Sequence, residues 1–392
     1  MKPAFELAGI IDQFGDDFSR VCNPNTYTQR VLRAIRICRT PAMGGHVDRC
    51  TQCGHLRVSY NSCRNRHCPK CQNTQREAWI NDRKQDLLPV PYFHVVFTLP
   101  DTLNGLFLAF PAPMYRLLFR VCWESLSQLF LTRHHATAGM IAVLHTWGQN
   151  LAFHPHLHCI VPAGGSGIRQ PWKPLKISPR GKVYLFPVKI LSRVFRGKFI
   201  QGLSHITQLD QTLRAELYRH DWVVYTKPPF AGPEMVVEYL GRYTHKTAIS
   251  NHRILKVDQQ GVTFRWHDYR DNRHKVMTLQ GVEFLRRFCL HIRDKGFVRI
   301  RHFGFLSSTH RPTLHALQRH LGREPAVHRE KVNWKDISRQ YLGYDPDICP
   351  VCGKPAMLTI DRFLPGRGPP LQYLEPLCII NQHSDMVIIS MN

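Results

Sequence analysis

The chain has 392 residues, of which 53 are Lys or Arg and 28 are Asp or Glu, giving a formal net charge of +25. A hydrophobic content of 43% in so long a chain excludes a disordered or fibrous class, and no apolar run approaches the roughly 20 residues that a bilayer span needs. The basic excess implies a polyanionic partner, and nucleic acid is the commonest one.

The sequence holds thirteen cysteines, an odd number, and five of them fall between Cys50 and Cys71. That crowding implies metal ligation in a reducing compartment rather than a disulfide framework. The first residues lack a basic start followed by a long apolar stretch, so no secretion signal is expected and a cytoplasmic location is. Up to about residue 40 the chain has helical periodicity, with Val31, Leu32, Ile35 and Cys38 on one face. Asn23-Pro24-Asn25 divides it into two helices. Arg30, Arg33, Arg36 and Arg39 recur every three residues, and a solvated face explains them at least as well as a DNA-contacting one.

Cys50-x-x-Cys53-Gly54 and Cys68-x-x-Cys71 follow, separated by fourteen residues. This spacing predicts a four-thiolate zinc ribbon built from Cys50, Cys53, Cys68 and Cys71. Cys63, His67, His46 and His55 remain as spare donors. Arg57, Arg64, Arg66, Lys70 and Arg76 put positive charge around the ribbon, fit for phosphate, although such a ribbon can also be purely structural.

From residue 92 the pattern turns to β. Residues 93–99 read as a strand, 112–131 as a helix with Leu117, Leu118, Val121, Cys122, Ser125, Leu126 and Leu129 buried, and 140–147 as a second strand. After a turn at Gly148-Gln149-Asn150 comes His154-Pro155-His156-Leu157-His158-Cys159-Ile160-Val161-Pro162. Residues two apart on a strand share a face, so His156 and His158 project together while Leu157 faces a core. Two imidazoles on one strand make half of a metal site. With 23 histidines in the chain, chance clustering is the rival explanation. The order of elements predicts an α+β domain with a central antiparallel sheet, the histidines on its central strand.

Residues 164–202 carry little signal beyond a possible helix at 188–199, and 222–226 read as a short strand. Gly232-Pro233-Glu234 then opens a helix. On it Tyr239 and Tyr243 lie four apart, with Lys246 three further on, all on one face. Two helical tyrosines alone are more often packing residues than nucleophiles. Runs at 254–257, 262–267 and 276–279 read as strands, 281–292 as a helix, and 297–303 as a strand of alternating apolar and basic residues. Arg286, Arg287, Arg293, Lys295, Arg299 and Arg301 interleave there with Phe284, Phe288, Phe297, Phe303 and Phe305, a mixture that suits single-stranded nucleic acid as well as an ordinary core edge. The tail holds a further knuckle, Cys349-x-x-Cys352-Gly353, with Cys378 and His383 as later donors, or an unstructured end. Three regions result: 1–90, a helical lead-in with the zinc domain; 91–310, the α+β domain that carries the histidines and tyrosines; and 311–392, a basic C-terminal region with a possible second zinc knuckle.

The histidine pair, the tyrosines and Lys246 together suit phosphodiester chemistry. A divalent ion on His156 and His158 could bind a scissile phosphate while a tyrosine attacks phosphorus and becomes covalently joined to a DNA end. In combination, His156-Leu157-His158 resembles the HUH motif, and Tyr239-x-x-x-Tyr243 resembles the two-tyrosine motif of rolling-circle insertion-sequence transposases of the IS91 group. His145-Thr146-Trp147-Gly148-Gln149-Asn150, Tyr239-Leu240-Gly241-Arg242-Tyr243 and the stretch from Ser62 to Cys71 are similar to that family's phrases, so the resemblance runs from about residue 35 to 310. It implies a ferredoxin-like or RRM-like HUH nuclease sheet, a Mg²⁺ or Mn²⁺ ion, and an N-terminal zinc domain that helps bind the element's ends. It further implies nicking and religation of single-stranded DNA through a 5′-phosphotyrosine, at a bacterial nucleoid. Gln149, seven residues before His156, is the expected third metal ligand, with His154 and His145 as alternatives. Arg64, Arg66, Arg242, Arg299 and Arg301 are the expected DNA contacts. A replication initiator or relaxase, or a zinc-ribbon DNA-binding protein without catalysis, are the rivals. The first lacks a helicase segment here, and the second leaves the histidines and tyrosines unexplained.

Overall fold

The computed structural model describes residues 3–167, 170–176, 185–227, 233–244, 247–268, 271–326 and 333–373. Two helices open the chain, α1 (Leu7–Cys22) and α2 (Thr26–Arg36). Leu7, Ile10, Ile11 and Phe18 form the buried stripe of α1, and the Asn251 side chain accepts from the Leu7 N–H at its start (3.1 Å). Asn23 ends α1 in the left-handed region at φ 40°, and Asn25 caps α2 by accepting from Thr28 N–H (2.8 Å). Arg30, Arg33, Arg36 and Arg39 are exposed, as a solvated face requires.

A hairpin follows, β1 (Gly45–Cys50) and β2 (Leu56–Tyr60), then α3 (Gln72–Lys84), which begins directly after Cys71. Next come β3 (Tyr92–Thr98), α4 (Asn104–Ala109), α5 (Pro111–Leu129) and the two-residue β4 (Ala136–Thr137). The hairpin of β5 (Gly139–Trp147) and β6 (Phe153–Pro162) carries the histidines, with β7 (Gly164–Gly167) and β8 (Trp172–Pro174) beyond it. Two helices, α6 (Val188–Leu203) and α7 (Gln211–Arg219), lead to β9 (Val224–Lys227) and then to α8 (Pro233–Thr244), the helix of the tyrosines. A meander of β10 (Ile254–Asp258), β11 (Gly261–Asp268) and β12 (Arg273–Leu279) is followed by α9 (Gly281–Cys289) and β13 (Ile300–Gly304). The chain closes with α10 (Arg311–His320), α11 (Trp334–Tyr341) and β14 (Met357–Phe363).

The main sheet has five strands in the order β13-β5-β6-β3-β9, every neighbouring pair antiparallel. The histidine strand β6 is its central member. Along the chain, β3, α5, β5, β6, α6 and β9 run strand-helix-strand-strand-helix-strand, and both helices cover one face. That face buries Val95, Phe97, Leu144, Leu157, Cys159 and Val161 against Leu118, Cys122, Phe195 and Phe199. The opposite face buries Val143, Ile160 and Tyr92 against Val236 and Val237 of α8 and Ile80 of α3. A sheet covered on both faces reads as nearly continuous apolar strands, which is why polar residues within it stand out.

A separate core joins the chain's beginning to its later part. Phe18 of α1 and Val31 and Ile35 of α2 pack with Phe264 of β11 and Phe284, Leu285 and Phe288 of α9. A third sheet, ordered β14-β1-β2, pairs the C-terminal strand with the first strand of the chain. No helix among the described residues is long and apolar enough to cross a membrane.

Candidate functional site: a histidine cluster, a tyrosine helix and a thiolate centre

Register decides which histidines meet. His145 of β5 lies directly opposite His156 of β6, and a bulge between His145 and Trp147 separates this pair from the turn. His158, two residues on, shares the face of His156. The three imidazoles offer ring nitrogens that all lie within 4.8 Å of one another. The Nε2 atoms of His156 and His158 face each other at 3.2 Å. His156 Nδ1 donates to the His154 carbonyl oxygen at 2.7 Å, which leaves Nε2 as its lone-pair nitrogen. Desolvation, and next electrostatic repulsion with neighbouring His154, hold His156 down at about 4, so its ring is neutral at pH 7. These donors fit a divalent cation.

His94 was not singled out from the sequence. On β3 it shares the face of the cluster, and its Nε2 is 2.9 Å from His158 Nδ1 with the two rings stacked at 6°. Burial, and then Lys227 of β9 beside it, hold His94 down at about 4. A neutral imidazole bonded to the far nitrogen of a ligand fixes that ligand's tautomer and ring orientation. The only sequence signal for it was its alternation with Val96 and Thr98 on one strand face.

Gln149 sits in the turn between β5 and β6, where its backbone carbonyl accepts from the Arg253 guanidinium. Among His, Cys, Asp and Glu side chains of the described residues, His145 is the one whose ring meets both His156 and His158. His154 keeps to the rim, its Nδ1 3.3 Å from a carboxylate oxygen of Asp101.

The helix α8 carries Tyr239 onto this face of the sheet. The Tyr239 ring stands edge-on to His94 with centroids 5.0 Å apart, and Lys227 Nζ lies 5.3 Å from the ring centre. Arg242 and Tyr243 belong to the same helix but their side chains, and all of Lys246, lie outside the described residues. Packing between α8 and α3 is close. A Cβ on Gly241 would overlap the Ile80 side chain, and Lys84 Nζ of α3 pairs with Glu238 of α8 at 2.9 Å. Glycine at this position of the Tyr239-x-Gly241-x-Tyr243 phrase is thus required by helix approach.

The expectation of one ribbon from Cys50, Cys53, Cys68 and Cys71 needs correction. Cys68 and Cys71 join Cys38 and Cys63, whereas Cys50 and Cys53 lie with Cys349 and Cys352. The hairpin explains the separation. Cys50 and Cys53 sit at its tip, and the five residues of β2 carry the chain back about 16 Å before Cys63. Cys38 precedes β1 at that same base. In the Cys38 group, Cys71 Sγ lies 3.5 Å from Cys38 Sγ and 3.6 Å from Cys63 Sγ. Four thiolates around zinc at about 2.3 Å have sulfurs about 3.8 Å apart, and disulfide sulfurs would be about 2 Å apart. Thiol hydrogen bonds, from Cys63 first, bring Cys38 down to about 7, toward the thiolate that zinc requires. Cys378 and His383 lie outside the described residues.

The expected DNA-contacting arginines divide. Arg64 is exposed, at φ 52°. The Arg66 guanidinium is occupied by the carbonyl oxygens of Phe297 (2.6 Å) and Asp294 (2.9 Å) and thus ties the zinc region to the loop before β13. Arg299 stacks over Trp147 at 5.4 Å, and burial, then Arg66 and Arg293, bring it down to about 10. Arg301 lies 4.2 Å over the Phe119 ring.

The cysteine-rich region and the sheet with the histidine cluster each fall within a match to known proteins. Residues 10–99 match the family described as "Transposase zinc-binding domain" and residues 139–313 the family described as "Putative transposase". The class is therefore a transposase, with DNA as the molecule that it cuts and joins. A Sinorhizobium fredii protein named "Putative transposase y4qJ" is 42% identical over 93% of this chain and 97% of its own length. The "Transposase for insertion sequence element IS801" of Pseudomonas savastanoi pv. phaseolicola is 29% identical over 78% of this chain and 77% of its own. No solved structure matches. The chain belongs to the IS91 family of transposases, and its N-terminal domain binds zinc.

Proposed function

We propose that the protein is an HUH-type nickase and strand transferase that moves an insertion sequence by rolling-circle transposition, acting on single-stranded DNA through a 5′-phosphotyrosine. Convergence of the His145, His156 and His158 ring nitrogens beside the Tyr239 helix carries this reading. The strand order with two helices on one face is that of a ferredoxin-like sheet, which supports the HUH assignment.

His145, His156 and His158 would hold a Mg²⁺ or Mn²⁺ ion, with His94 orienting His158. Such an ion supplies Lewis acidity to a scissile phosphate. His156 presents a neutral, pre-aimed Nε2, its Nδ1 being held by the His154 carbonyl oxygen. The Tyr239 oxygen attacks phosphorus, the 3′ oxygen leaves as a hydroxyl after taking up a proton, and the 5′ phosphate stays on the tyrosine. A free phenol has a pKa of about 10, so positive charge near the ring favours the attacking phenolate, and Lys227 provides it. Tyr243, one turn on, is the second nucleophile in this scheme, and Lys246 is a further source of positive charge. Stored phosphotyrosine energy lets a later 3′ hydroxyl rejoin the strand without ATP. Arg64, Arg242, Arg299 and Arg301 are the DNA contacts in this scheme. A groove along β13 lined by Arg83, Asp86, Arg301, His302 and Arg311 lies beside the sheet; Arg83 pairs with Asp86 there, and Arg301 and Arg311 supply its positive charge. This activity belongs in the bacterial cytoplasm, where the nucleoid lies.

A nicking assay on single-stranded DNA carrying the element's ends tests the scheme. Wild type nicks with Mn²⁺ or Mg²⁺ and stops with chelator, and His156→Ala with His158→Ala is inactive at all metal concentrations. Undiminished nicking by that double variant would refute the metal assignment.

A further inference from the structure

The Cys349-Cys352 pair lies outside both family matches, yet it faces Cys50 and Cys53 from the other end of the chain. Cys50 Sγ is 3.6 Å from Cys352 Sγ, and Cys53 Sγ is 3.6 Å from Cys349 Sγ. All four sulfurs fall within 4.8 Å of one another, the separation of thiolates about one tetrahedral ion.

The two halves are built alike. In the first, Cys50 N–H donates to His55 O (2.9 Å) and Gly54 N–H to Cys50 O (3.0 Å). In the second, Cys349 N–H donates to Lys354 O (2.8 Å) and Gly353 N–H to Cys349 O (2.9 Å). Each knuckle turns through a glycine of positive φ, Gly54 at 75° and Gly353 at 69°. Cys68-Cys71 does not share this turn; Gln72 follows Cys71 there and opens α3. The Gly-bearing knuckles thus form a matched pair with their sulfurs turned toward each other.

Backbone pairing carries the same join further. Thr51 N–H donates to Ala356 O (2.9 Å), and β14 then runs antiparallel to β1 from Cys50↔Met357 to Gly45↔Phe363. Asp48 of β1 bonds Thr359 of β14 and Arg57 of β2, and Arg57 reaches on to the Pro346 carbonyl. Cys50, Cys349 and Met357 form a small apolar core of their own, too small to hold a surface strand unaided.

We infer that Cys50, Cys53, Cys349 and Cys352 bind a second zinc ion, which latches the C-terminal segment onto the N-terminal hairpin. Knuckles about 300 residues apart are brought together by the rest of the fold, so this site is complete only in a chain that includes both ends. It is distinct from the Cys38 centre, whose donors all fall before β3.

Zinc content of the full chain under reducing conditions tests it, with hydrogen exchange on 357–363 as a second readout. Two zinc ions per wild-type chain are expected. Cys349→Ser with Cys352→Ser should retain one ion, lose the second, and lose exchange protection in β14 while β5 and β6 keep theirs. Cys38→Ser with Cys68→Ser serves as the reciprocal variant and should keep the latch ion. One zinc per wild-type chain, two in the Cys349/Cys352 variant, or disulfides among the four cysteines in the reduced wild type would each overturn the inference.

Discussion

At the scale of single residues, the account turns on which side chains surround His156 and His158. The pair was legible from the alternation His156-Leu157-His158, because period two follows from strand geometry alone. His145 stands opposite His156 because across a hairpin the register decides what meets, and the bulge after His145 cannot be counted from the sequence. His94 was hidden for a similar reason, since β3 becomes the neighbour of β6 only after α5 and β5 have intervened. Its role makes a specific expectation. His94→Ala should leave the sheet folded yet raise the Mn²⁺ concentration for half-maximal nicking about 10–100-fold, as loss of a ligand's orienting partner does. His94→Asn, which retains a hydrogen-bonding group, should recover part of that. Equal metal dependence in wild type and His94→Ala would remove His94 from the site. For the nucleophiles, Tyr239→Phe combined with Tyr243→Phe should lower the rate of covalent capture of DNA by at least about three orders of magnitude, whatever the metal concentration.

At the scale of elements, α3 and α8 connect the zinc region to the catalytic face. Helix α3 starts at the residue after Cys71, and its Ile80 sits where a side chain on Gly241 would be. Loss of metal at the Cys38 group therefore loosens the support of the tyrosine helix. Gly241→Ala should destabilise the protein by about 1–3 kcal/mol through overpacking, despite alanine's better helix propensity. Ile80→Ala in the same chain should restore part of the loss, and a double-mutant cycle on thermal midpoints measures the coupling. Additive effects would mean that the two positions do not share a contact. The main-sheet strands β3, β5, β6 and β9 and the helix α5 were legible because a sheet buried on both faces leaves long apolar runs between Pro and Gly stops, whereas the short α4, β4, β7, β8 and α7 in the same region carried no such signal. The C-terminal elements were not, since α10, α11 and β14 are short and amphipathic, and β14 owes its place to a partner more than 300 residues away.

At the scale of the whole molecule, two segments distant in sequence meet, residues 45–53 and 349–363. Pairing by spacing joined Cys50-Cys53 to Cys68-Cys71 because those knuckles are neighbours in sequence. The glycine after Cys53 and after Cys352 was the better sign, since it marks knuckles of one backbone type. The same molecule buries several neutral imidazoles. Burial holds His67 and His291 down at about 3 and His94 and His156 at about 4, against about 6.5 in an unfolded chain. Below about 6.5 the unfolded chain takes up protons that the folded chain refuses, so stability is full above that pH and falls as the pH drops toward about 4. The thermal midpoint should decline across this window, and His67→Gln should make the decline shallower. A midpoint that rises on acidification would contradict the neutral assignments.

The most direct test is to trap the covalent adduct. The wild-type chain is incubated with single-stranded DNA of the element's end and Mn²⁺, and the modified peptide is identified by mass spectrometry. The account predicts a 5′-phosphotyrosine at Tyr239 or Tyr243, no adduct with chelator, and none when Tyr239→Phe is combined with Tyr243→Phe. An adduct on another residue, or one that forms undiminished in the double tyrosine variant, would contradict it.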